Sequence, residues 1–278
     1  FYGCSSIRSV VIPGSVTNIG NSAFAGCSSL TSVVIGNGVT SIGYRSFGSC
    51  TSLTSITISD SVTSIGEDSF KGCPIEKATA SALAIHYIPG AVLREAIITN
   101  GDIRNKEFYG YSSLTSVVMG NEVTSIGESA FYGCKNLTNV TMGNGITSIG
   151  KSAFYNCNNL KSVIISENVA SIGESAFSGC YRLVEVINKS KLTINVGKKN
   201  NGYVGYHAKT VHNGESKIVN KDGYLFITVD NVNYLIGYIG TATEFILPEN
   251  YNGENYVIND FAFYGCSSLA SVVMCNGI

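Results

Sequence analysis

The chain has no tryptophan, 4 prolines and 3 methionines in 278 residues, and 13% of it is charged. Each shortage excludes something. With 18 basic and 19 acidic residues the net charge is −1. Neither sign forms a run, so nothing in the charge pattern favours nucleic acid or an anionic membrane surface. Long apolar runs are missing too, although 44% of the residues are hydrophobic. Ser, Thr, Asn and Gly interrupt every apolar stretch before it reaches the roughly 18 residues of a membrane helix, so no membrane insertion is expected. An initiator methionine and a signal-peptide pattern are both absent. The sequence starts and stops within a motif, so a longer native polypeptide is expected, with any targeting segment lying outside these residues.

Glycine (31 residues) and cysteine (9 residues) are abundant, and both are periodic. Cys4, Cys27, Cys50 and Cys73 lie 23 residues apart, as do Cys134, Cys157 and Cys180. Phe24, Phe47 and Phe70 keep that interval, and so do Phe108, Phe131, Phe154 and Phe177. One unit reads CSSLTSVVIGNGVTSIGYRSFGS, from Cys27 to Ser49. Repetition at a fixed period of this length is the signature of a solenoid, and it governs every later inference.

Spacing dictates the physics of one unit. Leu30, Val33 and Ile35 form an L-x-x-V-x-I pattern in which Val33 and Ile35 share one face of a short strand, while Ser32 and Val34 point the other way. Gly36, Asn37 and Gly38 suit a turn, because Gly and Asn tolerate positive φ. Val39 and Ile42 return to the interior, and Ser46 and Phe47 are expected to close the coil as a short helical turn before Cys50. One such coil cannot bury its apolar face alone, whereas stacked coils can. The expected architecture is an α/β repeat solenoid whose strands pair in parallel about 4.8 Å apart.

The segment Ile126-Gly127-Glu128-Ser129-Ala130-Phe131-Tyr132-Gly133-Cys134, repeated over 172–180, resembles the leucine-rich repeats of the BspA-like family. The resemblance covers 1–73, 108–187 and 261–278. It implies a right-handed leucine-rich-repeat superhelix with a parallel β-sheet on the concave face and short helical or irregular turns on the convex side. It also implies a secreted or cell-surface protein that takes part in adhesion. On this reading 1–278 is a single leucine-rich-repeat domain. Regular repeats occupy 1–73 and 108–187, with a truncated repeat at 261–278.

Two stretches break the period. In 74–107, PIEKA (74–78) is expected to begin a strand, 81–88 has helical composition, and LREAII (93–98) restores the strand pattern. The reading is one extended coil followed by a slightly shortened one, with Tyr111 in the cysteine slot. In 188–260, LTI (192–194) reads as a further strand and 202–211 as a helical return path. YLFITV (224–229) and YLIGYI (234–239) flank the polar turn DNVN (230–233), a β-hairpin insertion signal. EFILP (244–248) re-enters the repeat, and NDFAF (259–263) resembles its closing segment.

Chemistry is sparse. Cysteines at even intervals do not form the close pairs of a zinc site. They are expected to stack as buried free thiols, with disulfides between some neighbours as the alternative. His86, His207 and His212 lie in the irregular stretches, and His207 and His212, five residues apart, have no accompanying carboxylate or cysteine cluster, so no metal or cofactor is expected. No nucleophile motif, phosphate loop or recurrent carboxylate pair is present, and catalysis is not expected. Sequons occur at Asn136, Asn139 and Asn188.

The candidate site is therefore the outward face of the strands. By register it comprises Ser32, Val34, Ser55, Thr57, Glu95, Ile97, Ser116, Val118, Asn139, Thr141, Ser162, Ile164, Glu185 and Ile187. A weakly charged sheet of hydroxyl and β-branched residues suits a protein or glycan ligand on a host or neighbouring cell. The alternatives are a solvated face obeying strand propensity, or a structural stalk whose binding is carried elsewhere. End-to-end self-association through the terminal coils is a further expectation.

Overall fold

The computed structural model describes residues 1–274. Cys275 and the last of the truncated repeat lie outside them. Seven parallel strands form the main sheet: Ser9–Ile12, Ser32–Ile35, Ser55–Ile58, Lys77–Ala80, Glu95–Asn100, Ser116–Glu122 and Asn139–Thr141. A second parallel sheet carries the stack onward through Ser162–Ile165, Glu185–Asn188 and Thr210–His212. Near the end, Glu244–Ile246 pairs in parallel with Ser271–Val273. With its divergent coils the chain makes a parallel-strand β-solenoid of about twelve turns.

The regular coils also have a second, two-residue strand that the sequence reading treated as a bend. Asn18–Ile19, Ser41–Ile42 and Ser64–Ile65 stack in one sheet, and Ser125–Ile126, Ser148–Ile149 and Ser171–Ile172 in another. Register follows the repeat, with Val10 opposite Val33 and Val33 opposite Ile56.

The return path is where the α/β expectation fails. Among the described residues the only α-helix is Ala82–Ile85, N-capped by Ser81, and the only 3-10 turn is Asn201–Tyr203. No helical turn forms at Ser46 and Phe47. Two residues per coil take left-handed backbone there, Arg45 (φ 50°) and Ser49 (φ 60°) in one coil, Ser129 (φ 54°) and Gly133 (φ 71°) in another. Left-handed residues cannot propagate a right-handed helix. The amides bond to the next coil instead, Phe24 N–H to the Ser46 carbonyl at 2.7 Å and Phe131 N–H to the Ala153 carbonyl at 2.7 Å. The turns are thus stacked like strands, and the fold is essentially all β.

Inside, like residues stack on like. Leu30, Val33, Ile35, Val39, Ile42, Phe47 and Cys50 are all buried while Val34 is exposed. Phenylalanine rings form two stacks, Phe1–Phe24–Phe47–Phe70 and Phe108–Phe131–Phe154–Phe177, each step near 5 Å with nearly parallel planes. Beside them runs a column of free thiols. Cys50 Sγ donates to the Phe24 carbonyl at 3.2 Å, Cys134 to Phe108 at 3.1 Å and Cys180 to Phe154 at 3.1 Å. Cys4 is exposed and Cys266 half-buried. Burial pushes the Cys134 and Cys180 thiols up to about 12, and Cys157 well above its ordinary value. Tyr111 fills the same slot half-buried, edge-on to Phe108 at 5.5 Å.

The irregular stretches depart from expectation. Ser55 pairs with Lys77, Lys77 with Glu95 and Glu95 with Ser116, so these coils are 22, 18 and 21 residues long. The stretch 74–107 is contracted rather than extended, because the compact helix Ala82–Ile85 replaces the usual second strand and turns. LTI (192–194) forms no strand. The next strand is Thr210–His212, so Val211 belongs to the sheet and not to a helical return path. Ile218–Lys221, Tyr224–Val229 and Val232–Tyr238 run antiparallel, and the last pairs in parallel with Tyr256–Ile258. Only Asp230 and Asn231 make the turn, both with positive φ (49° and 63°), while Val232 and Asn233 are already strand.

Close coil spacing explains the glycine after each interior isoleucine. A Cβ on Gly150 would sit 2.6 Å from the Gly127 carbonyl carbon and 2.7 Å from the Glu128 nitrogen. Gly150→Ala should therefore lower stability by roughly 1–3 kcal/mol, the usual overpacking range, read as a lower urea midpoint. An unchanged midpoint would show that neighbouring coils separate freely. The thiol column yields a second test. A chromogenic aromatic disulfide reacts only with sulfurs it can reach, so the native chain should release colour promptly from the exposed Cys4. Cys27, Cys50, Cys73, Cys134, Cys157 and Cys180 should stay silent until denaturant is added. Prompt reaction of the column thiols would contradict the packing described.

Candidate binding face

The main sheet positions most of the outward residues on one open surface. Parallel register places Val34 beside Thr57, Ile97 beside Val118, and Val118 beside Thr141. Strand alternation turns these outward while Val33, Ile56, Ala96 and Val117 face the core. Val34 (41%), Ile97 (43%), Val118 (36%) and Ile164 (41%) are exposed despite their apolar side chains. Glu95, Asn139 and Thr141 are exposed as well, whereas Ser32, Ser55, Thr57, Ser116 and Ser162 are half-buried. The outward row also includes Val11 and Thr79, which the sequence reading omitted.

Charge is sparse on this surface. Lys77 Nζ and Glu95 Oε1 pair across adjacent strands at 3.0 Å. The relief is low. A depression of about 160 Å³ lies between Thr57, Thr79 and Ile97, and another of about 190 Å³ between Asn139, Thr141 and Ile164. Such a surface can offer many shallow van der Waals contacts and a few hydroxyl hydrogen bonds.

Glu185 and Ile187 are not part of it. Both are buried, Glu185 at 0% exposure, beneath the segment that leads into the antiparallel strands. Its carboxylate bonds His212 Nε2 at 3.1 Å, the Ser216 hydroxyl at 2.6 Å and the Lys217 N–H at 2.6 Å. Ile187 lies under the same cover. The signal was present in LVEVI (183–187), where Leu183, Val184, Val186 and Ile187 are all apolar. A run without alternation marks a strand covered on both faces.

Sequence reasoning also missed Arg182. It stands where other coils carry Ser29, Ser52 or Asn159, and it is buried. Its Nη1 donates to Asn159 Oδ1 at 2.8 Å and to the Tyr264 carbonyl at 3.0 Å, and its Nη2 donates to the Ala262 carbonyl at 2.8 Å. One guanidinium thus ties the C-terminal segment to the regular coils. Burial lowers its pKa, and burial together with Arg182 depresses the neighbouring Lys161 to about 8.

The histidines occupy separate environments. His86 Nδ1 lies 3.0 Å from Glu107 Oε1, His212 lies on Glu185, and His207 packs against the Tyr181 and Tyr206 rings. Burial lowers the pKa of His207. Among the described residues, no three His, Cys, Asp or Glu side chains converge in a way that could hold a metal ion, and no helix is long and apolar enough to cross a membrane.

The arginine tie can be tested directly. Arg182→Ala leaves three carbonyl or amide acceptors without their charged donor, a loss of roughly 1.5–3 kcal/mol per charged-group interaction. Amide exchange over 218–264 should accelerate far more than exchange over 116–165. Uniform acceleration along the whole chain would refute the local tie.

A family model for the BspA type leucine rich repeat region matches residues 1–93 and 101–199 in six copies. No curated protein matches the chain. Similar solved structures include a leucine rich cell surface protein from Faecalibacterium prausnitzii A2-165. It is 26% identical, with 96% of this chain and 63% of that one covered and a TM-score of 0.38. This chain therefore spans less than two thirds of that protein's length. A leucine-rich repeat protein from Bacteroides ovatus is 20% identical over 75% of this chain and 83% of its own, with a TM-score of 0.37. The pneumococcal vaccine antigen PcpA is 17% identical over 97% and 68%, with a TM-score of 0.36.

Proposed function

We propose, from the premise that this chain belongs to the BspA-type leucine-rich-repeat family, that it is a cell-surface or secreted module that adheres to a host or neighbouring-cell macromolecule through its main sheet. The leucine-rich-repeat fold is generally a non-enzymatic scaffold, and no catalytic family is indicated. One observation carries the reading. Val11, Val34, Ile97 and Val118 stand exposed on the outward side of the main sheet, in one row with Thr57, Thr79 and Thr141, and Ile164 is exposed on the next strand of the stack. A β-branched row of that length, rich in exposed hydrocarbon and poor in charge, favours a partner that covers it. The surrounding hydroxyls of Ser55, Thr57, Ser116 and Thr141 supply a polar rim. Protein partners fit a low-relief surface better than small ligands, which prefer enclosed pockets.

The test is binding of this chain to arrays of extracellular-matrix proteins and host-cell glycans. The comparison protein carries Val34→Arg, Thr57→Arg and Val118→Arg together. Saturable binding that falls at least tenfold in the triple variant, with an unchanged circular dichroism spectrum, is the expected result. Failure of the folded wild-type chain to bind any array member would favour a stalk that sets distance for a binding unit elsewhere. Equal binding by the triple variant would move the site off the sheet.

A further inference from the structure

The residue after each stacked phenylalanine lies on the turn edge of the solenoid, away from the main sheet. In three consecutive coils that residue is tyrosine. Tyr109, Tyr132 and Tyr155 stack with centroids 4.8 and 4.9 Å apart and planes within 7°. The same slot holds Tyr2, Ala25, Gly48 and Lys71 in the first four coils. Two rungs are therefore missing between Tyr2 and Lys71, which are roughly 14 Å apart at one coil per 4.8 Å. The gap is an open cleft of about 470 Å³, floored by Gly26, Gly48 and Gly72. No side chain fills it.

The rim of the cleft differs chemically from the main sheet. Arg45 lies with its guanidinium 5.2 Å from the Tyr44 ring centroid. Arg45 Nη2 and Lys71 Nζ approach the same oxygen, Asp68 Oδ2, at 3.3 and 3.1 Å. These three side chains sum to +1, with N–H donors unused on both cations. Arg45 and Lys71 are each about half or more exposed (49% and 64%), so those donors are accessible from the cleft. Arg45 is held there by a left-handed backbone (φ 50°) that few long side chains adopt.

We infer that this turn-edge cleft binds an oligosaccharide carrying a carboxylate, with sugar rings taking the level of the two missing tyrosine rungs and the carboxylate meeting Arg45 and Lys71. Tyrosine rings one coil apart along this edge show that the slot admits a ring-sized group at each level. Tyr2 and Tyr44 offer aromatic surface to the C–H face of a sugar. The glycine floor lets the ring approach the backbone, and the guanidinium provides paired donors for a carboxylate. This site is independent of the main sheet, so either can fail without the other.

The probe is tetragalacturonate, with neutral maltotetraose as the comparison, titrated into the 278-residue chain by calorimetry. Saturable binding of tetragalacturonate is expected, at least tenfold tighter than maltotetraose. Arg45→Asn, which keeps a residue tolerant of positive φ, and Lys71→Gln should each weaken it about tenfold. Gly48→Tyr rebuilds a rung like Tyr132 and should abolish binding with the circular dichroism spectrum unchanged. The Val34, Thr57 and Val118 triple-arginine variant should bind as the wild type does. The inference is overturned if the folded chain ignores tetragalacturonate, or if maltotetraose binds equally well. It also falls if Gly48→Tyr leaves affinity intact, or if the sheet variant loses binding.

Discussion

Backbone hydrogen bonding between adjacent coils, on both the strand side and the turn side, is the constraint from which the rest follows. Strands fix coils about 4.8 Å apart, and the turn amides repeat that spacing, as in Phe131 N–H to Ala153. Every residue must then tolerate its counterpart one level away. Phenylalanine does so by face-to-face stacking, cysteine by donating to a carbonyl of the preceding coil, and glycine by leaving no Cβ to collide. Stability in such a stack is a sum over coils and their interfaces, so a defect at one level stays local unless it breaks the spacing.

Breaks in the period show how the stack tolerates change. Between Ser55 and Ser116 the coils contract, yet the strands remain paired because the helix Ala82–Ile85 shortens only the return path. After Thr210–His212 the parallel ladder gives way to antiparallel strands, and a different device takes over. Buried polar groups hold the junction, Glu185 through His212, Ser216 and Lys217, and Arg182 through carbonyls contributed from residues distant in sequence. A lone buried guanidinium is costly unless its donors are used. Three strong bonds offset that cost, and Nε remains unpaired.

The solenoid was legible in the sequence because 23-residue periodicity is a statement about stacking, and the inward set of Leu30, Val33, Ile35, Val39, Ile42 and Phe47 follows from alternation alone. The turn conformation was not legible. GYRSFGS-like segments have a composition compatible with a helical turn, and only the left-handed φ at Arg45 and Ser49 diverts their amides to the next coil. Most of the outward row was also readable, since Val34, Ile97, Val118 and Ile164 follow by parity. Glu185 and Ile187 failed because parity says which side a residue points to, and says nothing about what covers that side. Arg182 was invisible for a similar reason, as the carbonyls it binds in the C-terminal segment lie 80 and 82 residues away in the chain.

A repeat surface carries information in its departures from its own rule. Along the main sheet the outward slot is β-branched from coil to coil, so one partner can slide along it with little change in energy unless a marked level fixes it. The Lys77–Glu95 pair and the covered strand at Glu185 are the two such levels. Along the turn edge the rule is a tyrosine ladder, and the departure is a gap flanked by two cations and one carboxylate. The first surface is extended, apolar and weakly registered, whereas the second is short, polar and fixed at one height. The two proposed modes of recognition, one needing area and one needing chemistry, thus fall on different faces of one stack.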